Sequence, residues 1–129
     1  MKKLFLIVIV LITQNILAQN QDSNAANSDV IDAKQLEIKP DFPGGISKFY
    51  QFLGQNFNLP EKGENTGKIY LTFIVEVDGT LTNINIVRGI NPAMNLEALR
   101  VMKLSPKWIP GRIGEELVRS KYSIPISIN

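Results

Sequence analysis

The chain has neither cysteine nor histidine. This excludes disulfide staples, thiolate nucleophiles, zinc sites of the usual Cys/His kind and any Ser-His-Asp triad. It also excludes a lipid anchor on an N-terminal cysteine. Long apolar runs are scarce: Leu4 to Ile12 is unbroken, about half of the roughly 20 residues that span a bilayer. An excess of charge is missing too. Lys2 and Lys3 account for the whole net charge of +2, and from Gln19 onward twelve basic residues face twelve acidic ones. A neutral chain offers no electrostatic case for nucleic acid or an anionic membrane as partner.

What is present begins with those two lysines. Basic Lys2-Lys3, the apolar run, polar Thr13-Gln14-Asn15 and small Ala18 before Gln19 form the three-part pattern of a secretory signal peptide. Residues 1–18 are read as that signal. The competing reading is an uncleaved signal that anchors the chain in the inner membrane. Residues 19–40 are rich in Asn, Asp, Gln and Ser, lack aromatics and read as a flexible tether. Val30, Ile31, Leu36 and Ile38 are the tether residues able to dock as a short strand.

The remainder, 41–129, is long enough for one domain with a modest core. Asp41 to Gly45, "DFPGG", marks a turn. Ile46, Phe49, Tyr50, Leu53 and Phe57 then repeat at helical spacing, and Pro60, Gly63 and Gly67 break the pattern. Ile69, Leu71, Phe73, Val75 and Val77 alternate with Lys68, Tyr70, Thr72, Ile74 and Glu76, which predicts a strand. Asp78-Gly79 supplies a tight turn. Ile84 and Ile86 alternate with Asn83, Asn85 and Val87 on the return strand. Asn91 as N-cap and Pro92 at the first helical position open a second helix. Met94, Ala98, Leu99, Val101 and Met102 form its apolar stripe, and Glu97 and Arg100 face solvent. Pro106 ends that helix.

Trp108, the single tryptophan, sits between Pro106 and Pro110. It is expected to close the open end of the core, its indole N–H reaching a backbone carbonyl. The alternative is an exposed aromatic at a ligand site. The last segment alternates again: Val118, Ser120, Tyr122, Ile124, Ile126 and Ile128 share one parity, Arg119, Lys121, Ser123, Pro125 and Ser127 the other. Pro125 cannot donate to a ladder, which puts this strand at a sheet edge. The element order predicts an α+β fold, two helices packed on one face of a small antiparallel sheet.

Six pieces, in this order, resemble the TonB C-terminal domain family in its Bacteroidetes-type form: "FPGG" at 42–45, "VDGTL" at 77–81, "VRGINP" at 87–92, "EALR" at 97–100, "PKWIPG" at 106–111 and "YSIPI" at 122–126. The resemblance covers Asp41 to Asn129. It implies two helices against a three-stranded antiparallel sheet, and a protein-binding rather than catalytic role with no cofactor or metal. The implied partner is the TonB box, a short extended peptide of an outer-membrane receptor, gripped from the periplasm by β-augmentation in energy-coupled transport. The implied receiving strand is Leu117 to Ile128, with Leu117, Val118, Arg119, Ser120, Lys121, Tyr122, Ser123, Ile124, Pro125 and Ile126 as its binding stretch. An accessory contact falls at Leu59-Pro60, where the family carries Tyr-Pro. ExbB–ExbD would be a further partner if the N-terminus is retained as an anchor, and the last strand could also pair with its own copy. A stand-alone periplasmic adaptor or competitor on the same fold is the alternative. An enzyme would have to use Asp78 or Glu115-Glu116, which read better as solvated turn residues. The signal-peptide reading predicts that the natively produced protein lacks residues 1–18, and intact-mass measurement checks it. A full-length chain in the inner-membrane fraction would overturn it.

Overall fold

The computed structural model describes residues 29–129. The signal-peptide reading of 1–18 and the first part of the tether lie outside the described residues. Two helices carry the expected stripes. Helix α1 spans Ile46–Asn56 and buries Phe49 and Leu53, while Ile46 and Tyr50 stay largely exposed. Helix α2 spans Pro92–Lys103 and buries Met94, Ala98, Val101 and Met102. Its N-cap is Asn91, whose Oδ1 accepts from the Met94 N–H at 2.9 Å. Glu97 and Arg100 do more than face solvent. They pair at 2.7 Å, Arg100 Nη2 donates to the Asn56 carbonyl at the end of α1, and Glu97 Oε2 accepts from the Asn58 N–H. The pair thus ties the C-terminus of α1 to the middle of α2.

Among the described residues six strands complete the fold: β1 (Ile31–Asp32), β2 (Gly67–Val75), β3 (Leu81–Arg88), β4 (Gly111–Ile113), β5 (Glu116–Val118) and β6 (Ser120–Ile128). The main sheet has the order β1-β6-β2-β3, and β4-β5 form a separate two-stranded sheet. The α+β class is as expected, with two differences. The sheet is four-stranded and mixed, because β1 joins β6 in parallel. The segment read as one last strand is also broken after Val118. Leu117 and Val118 belong to β5, which folds back on β4 through a turn containing Gly114 at φ +60°.

The apolar parities of β2 and β6 and the buried faces of both helices share one core, which includes Phe49, Phe73, Met94, Val101, Trp108 and Ile126. The β2–β3 turn is looser than a two-residue hairpin. Glu76 carbonyl accepts from the Gly79 N–H, Thr80 carbonyl accepts from the Glu76 N–H, and of Asp78 and Gly79 only the glycine has positive φ, +88°. Register shifts then insert two extra residues into β3, one at Asn83-Ile84 (Asn83 at φ +48°) and one at Val87. Without the first bulge, Leu81 and Ile84 would point to opposite faces; with it, both pack on the core together with Ile86.

Trp108 closes that core. It is 3% exposed, and its ring meets Phe42, Phe49, Phe73 and Tyr122 at centroid distances of 5.2–5.7 Å in tilted or edge-on geometry. Its indole N–H donates to Ser105 Oγ at 2.9 Å, not to a carbonyl directly. The serine hydroxyl in turn donates to the Pro106 carbonyl. The Trp108 backbone N–H donates to the Gly79 carbonyl at 2.9 Å, and a Cβ on Gly79 would lie 2.3 Å from the Trp108 carbonyl oxygen. Two predictions follow from this packing. Trp108→Ala should cost roughly 3–5 kcal/mol, and Gly79→Ala should also destabilise, since it combines a positive φ with a backbone clash. Thermal melts by circular dichroism check both; an unchanged midpoint in Trp108→Ala with lost partner binding would move this residue to a surface site.

Candidate partner-binding edge

A strand edge can take another chain only where its main-chain groups point outward and stay unpaired. The sheet has two candidate flanks. On the β3 side the two bulges interrupt the ladder and bend the strand, a common way of making an edge a poor template. On the β6 side there is no such interruption. All nine residues from Ser120 to Ile128 pair in unbroken antiparallel register with β2, from Ser120↔Val75 to Ile128↔Gly67.

Pro125 sets the direction of every polar group on β6. It is paired with Tyr70 in a continuous ladder and has no N–H, so its nitrogen faces away from β2. By the two-residue period, the N–H and C=O groups of Lys121, Ser123 and Ser127 face the same way. On that outer side the Arg119 carbonyl accepts from the Ile31 N–H at 3.0 Å, and β1 pairs with Ser120 and Lys121. From Ser123 to Ser127 no described residue continues the sheet. Side chains follow the complementary pattern. Ser120, Ile124 and Ile126 are buried and Tyr122 half-buried, whereas Lys121, Ser123, Pro125 and Ser127 are exposed.

The upper end of the edge is held by residues read as tether. From Ile31 the chain is docked. Asp32 caps a short 3-10 turn, Ala33–Gln35, by accepting from the Lys34 N–H. Ala33 and Leu36 are buried at 4% and 5% exposure. Ile38 bridges Arg112, and Asp41 exchanges two hydrogen bonds with Ile109. A Cβ on Gly111 would lie 2.6 Å from Leu36 Cδ1 and 3.3 Å from the Ile38 carbonyl oxygen, so the segment packs closely over this glycine. Ile31, Leu36 and Ile38 are among the tether residues read as able to dock; what polar composition hid was the extent of the docking and its parallel direction.

A second tie holds the start of β6. Arg119 Nε lies 2.6 Å from Glu76 Oε1, across the base of the β2–β3 turn. The Arg119 guanidinium holds the Glu76 carboxyl below the usual range. Burial works against this, and the Thr82 hydroxyl assists it. Burial is the main cause that pushes the Tyr122 phenol up.

Leu59 is 58% exposed and lines a groove of about 340 Å³ with Tyr50, Leu53, Phe57, Ile126 and Ile128. Pro60 lends its carbonyl to Asn65 Nδ2. Asp78 is spent on its own turn, accepting from the Thr80 N–H and hydroxyl. Glu115 and Glu116 are exposed at the β4–β5 turn. No described helix is long and apolar enough to cross a membrane.

The sign of the Glu76 effect is set by its lowered pKa. Such a group contributes stability above its unfolded pKa, and the contribution is lost as pH falls through the folded one. Glu76→Gln should therefore lower the urea midpoint at pH 7, and the difference from wild type should shrink progressively as pH falls below the range of an unfolded glutamate. A difference that persists unchanged at lower pH would assign the loss to packing instead.

The model of the Gram-negative bacterial TonB protein C-terminal matches residues 61–128. Among solved structures, the solution structure of the Helicobacter pylori TonB C-terminal domain is 24% identical, covers 65% of this chain and 91% of its own, and superposes with a TM-score of 0.49. Among curated proteins none matches.

Proposed function

Because this chain belongs to the TonB C-terminal family, we propose that it binds an extended segment of an outer-membrane receptor, the TonB box, by adding it as a strand to β6. The reading places the protein in TonB-dependent, energy-coupled transport, with its domain facing the periplasm. The observation that carries it is the regular outer edge of β6 from Ser123 to Ser127, beside an opposite flank that two bulges make unsuitable. Main-chain hydrogen bonds supply most of the affinity in this mode and demand little of the partner's sequence. That suits one domain serving several receptors.

The receiving stretch is shorter than Leu117 to Ile128. Leu117 and Val118 are committed to β4, and Ser120 and Lys121 already have β1 as neighbour. The partner strand lies along Ser123 to Ile128, with Leu59 on its helix side as accessory contact. Pairing of two copies through the same edge would compete with receptor binding. Coupling to ExbB–ExbD requires the N-terminal segment to remain in the inner membrane.

Ser123 and Ser127 are the outward N–H donors left on this stretch, since Pro125 has none. Ser123→Pro should weaken binding of a TonB-box peptide by on the order of tenfold. Lys121→Ala should change affinity little, because a rim charge acts mainly on rate and salt dependence. Calorimetric titration of the folded variants measures both. Wild-type affinity in a folded Ser123→Pro protein would sink the edge mechanism.

A further inference from the structure

The two sides of the free β6 edge differ in chemistry, and an added strand must present alternate side chains to them. On the helix side lies the groove between α1 and β6. It exposes Leu59 and Tyr50 (46% exposed) beside Phe57, Ile126 and Ile128, so apolar surface is left uncovered along the last residues of the strand. α1 is the helix on this flank, since α2 is the one that contacts β3.

The other side is the open face of the sheet. There a shallow cavity of about 400 Å³ is lined by Lys34, Tyr70, Thr72, Arg88, Ser123 and Pro125, with no carboxylate among the lining residues. Lys121 is exposed on the same parity of β6 as Ser123 and Pro125. Lys34, Arg88 and Lys121 form no ion pair with a described residue. The acidic residues bordering this face are Asp32, which sits opposite Lys121 and accepts from the Lys34 N–H, and Glu76, which is engaged by Arg119. The cavity beside Ser123 and Pro125 is therefore lined by cations without a carboxylate, although the chain as a whole is near neutral.

Resting on the strand-addition reading, we infer that the edge selects partner segments that alternate: apolar side chains on one parity, falling into the α1–β6 groove, and acidic ones on the other, meeting Lys34 and its neighbours. Backbone pairing alone is indifferent to sequence; the two flanking surfaces make it selective and also set the register. A one-residue slip would turn the acidic side chains onto the apolar groove and the apolar ones onto the lysines. The occupant is a protein segment, since the edge groups of Ser123 to Ser127 ask for a peptide backbone between the two surfaces.

Three capped peptides of about eight residues, a common strand length, test this. One alternates Val and Glu, one holds the same residues in two blocks, and one alternates Val and Lys. Affinity is read by calorimetry, and the site by the amide shifts of Ser123 and Ser127. The alternating Val-Glu peptide should bind on the order of tenfold more tightly than the blocked peptide and the Val-Lys peptide. Lys34→Glu should narrow or reverse the Glu-over-Lys preference, and Leu59→Ser should narrow the gap between alternating and blocked sequences. Both positions are exposed, so the variants should fold, and circular dichroism checks that they do. If all three peptides shift the Ser123 and Ser127 amides with equal affinity, strand addition stands and the selectivity inference is overturned. If none shifts those amides, both are overturned.

Discussion

The backbone of Trp108 is held from two directions, and most of the architecture hangs on that grip. Its N–H donates to the Gly79 carbonyl, while the next residue, Ile109, exchanges hydrogen bonds with Asp41. The hairpin turn and the N-terminal segment therefore meet on opposite sides of one three-residue stretch. The indole fills the space this creates and touches aromatic rings from the Phe42 turn, α1, β2 and β6. Pro106 and Pro110 on either side keep the stretch out of helix and ladder, so its groups remain available for these long-range partners. The approach to Gly79 leaves no room for a side chain. The family fragments at 77–81 and 106–111 are thus two halves of one contact.

The same grip determines where the domain can be entered. Because Asp41 is sewn to Ile109 and Ile38 to Arg112, the preceding residues are drawn along β4 and onto the start of β6. They form there a two-residue parallel strand, and the 3-10 turn at Ala33–Gln35 that follows still touches β6 but does not extend the ladder. The upper part of β6 is occupied by the chain's own backbone and the lower part is left open. Glu76 and Arg119 hold the junction, and the hydrogen bonds from Arg119 hold the carboxyl below its usual range.

The contrast between the two flanks is a matter of regularity. β3 needs the bulge at Asn83-Ile84 to bring Leu81, Ile84 and Ile86 onto one face, a second bulge follows at Val87, and each spoils the edge as a template. β6 reaches the same core with strict alternation and keeps its outer groups in line. One sheet thus carries an interrupted edge and a regular one, and the difference arises from where its apolar residues fall.

The sequence by itself determined the elements and their faces. Period-two alternation in 69–75 and 120–128, helical spacing in α1 and α2, the Asn91-Pro92 cap and the stop at Pro106 are local effects, set by sterics and by apolar residues within a few positions of one another. It also showed that Pro125 must lie where no donor is needed. What it could not contain was pairing over distance. The parallel docking of Ile31-Asp32, the break that gives Leu117 and Val118 to β5, the bulge at Asn83 and the serine that receives the Trp108 N–H each depend on a partner remote in the chain or on a backbone angle chosen by packing. The unpaired length of the outer β6 edge is likewise tertiary. Alternation marks twelve residues from Leu117 to Ile128 as one strand, and only the neighbours β1 and β4 decide that the stretch free to pair begins at Ser123.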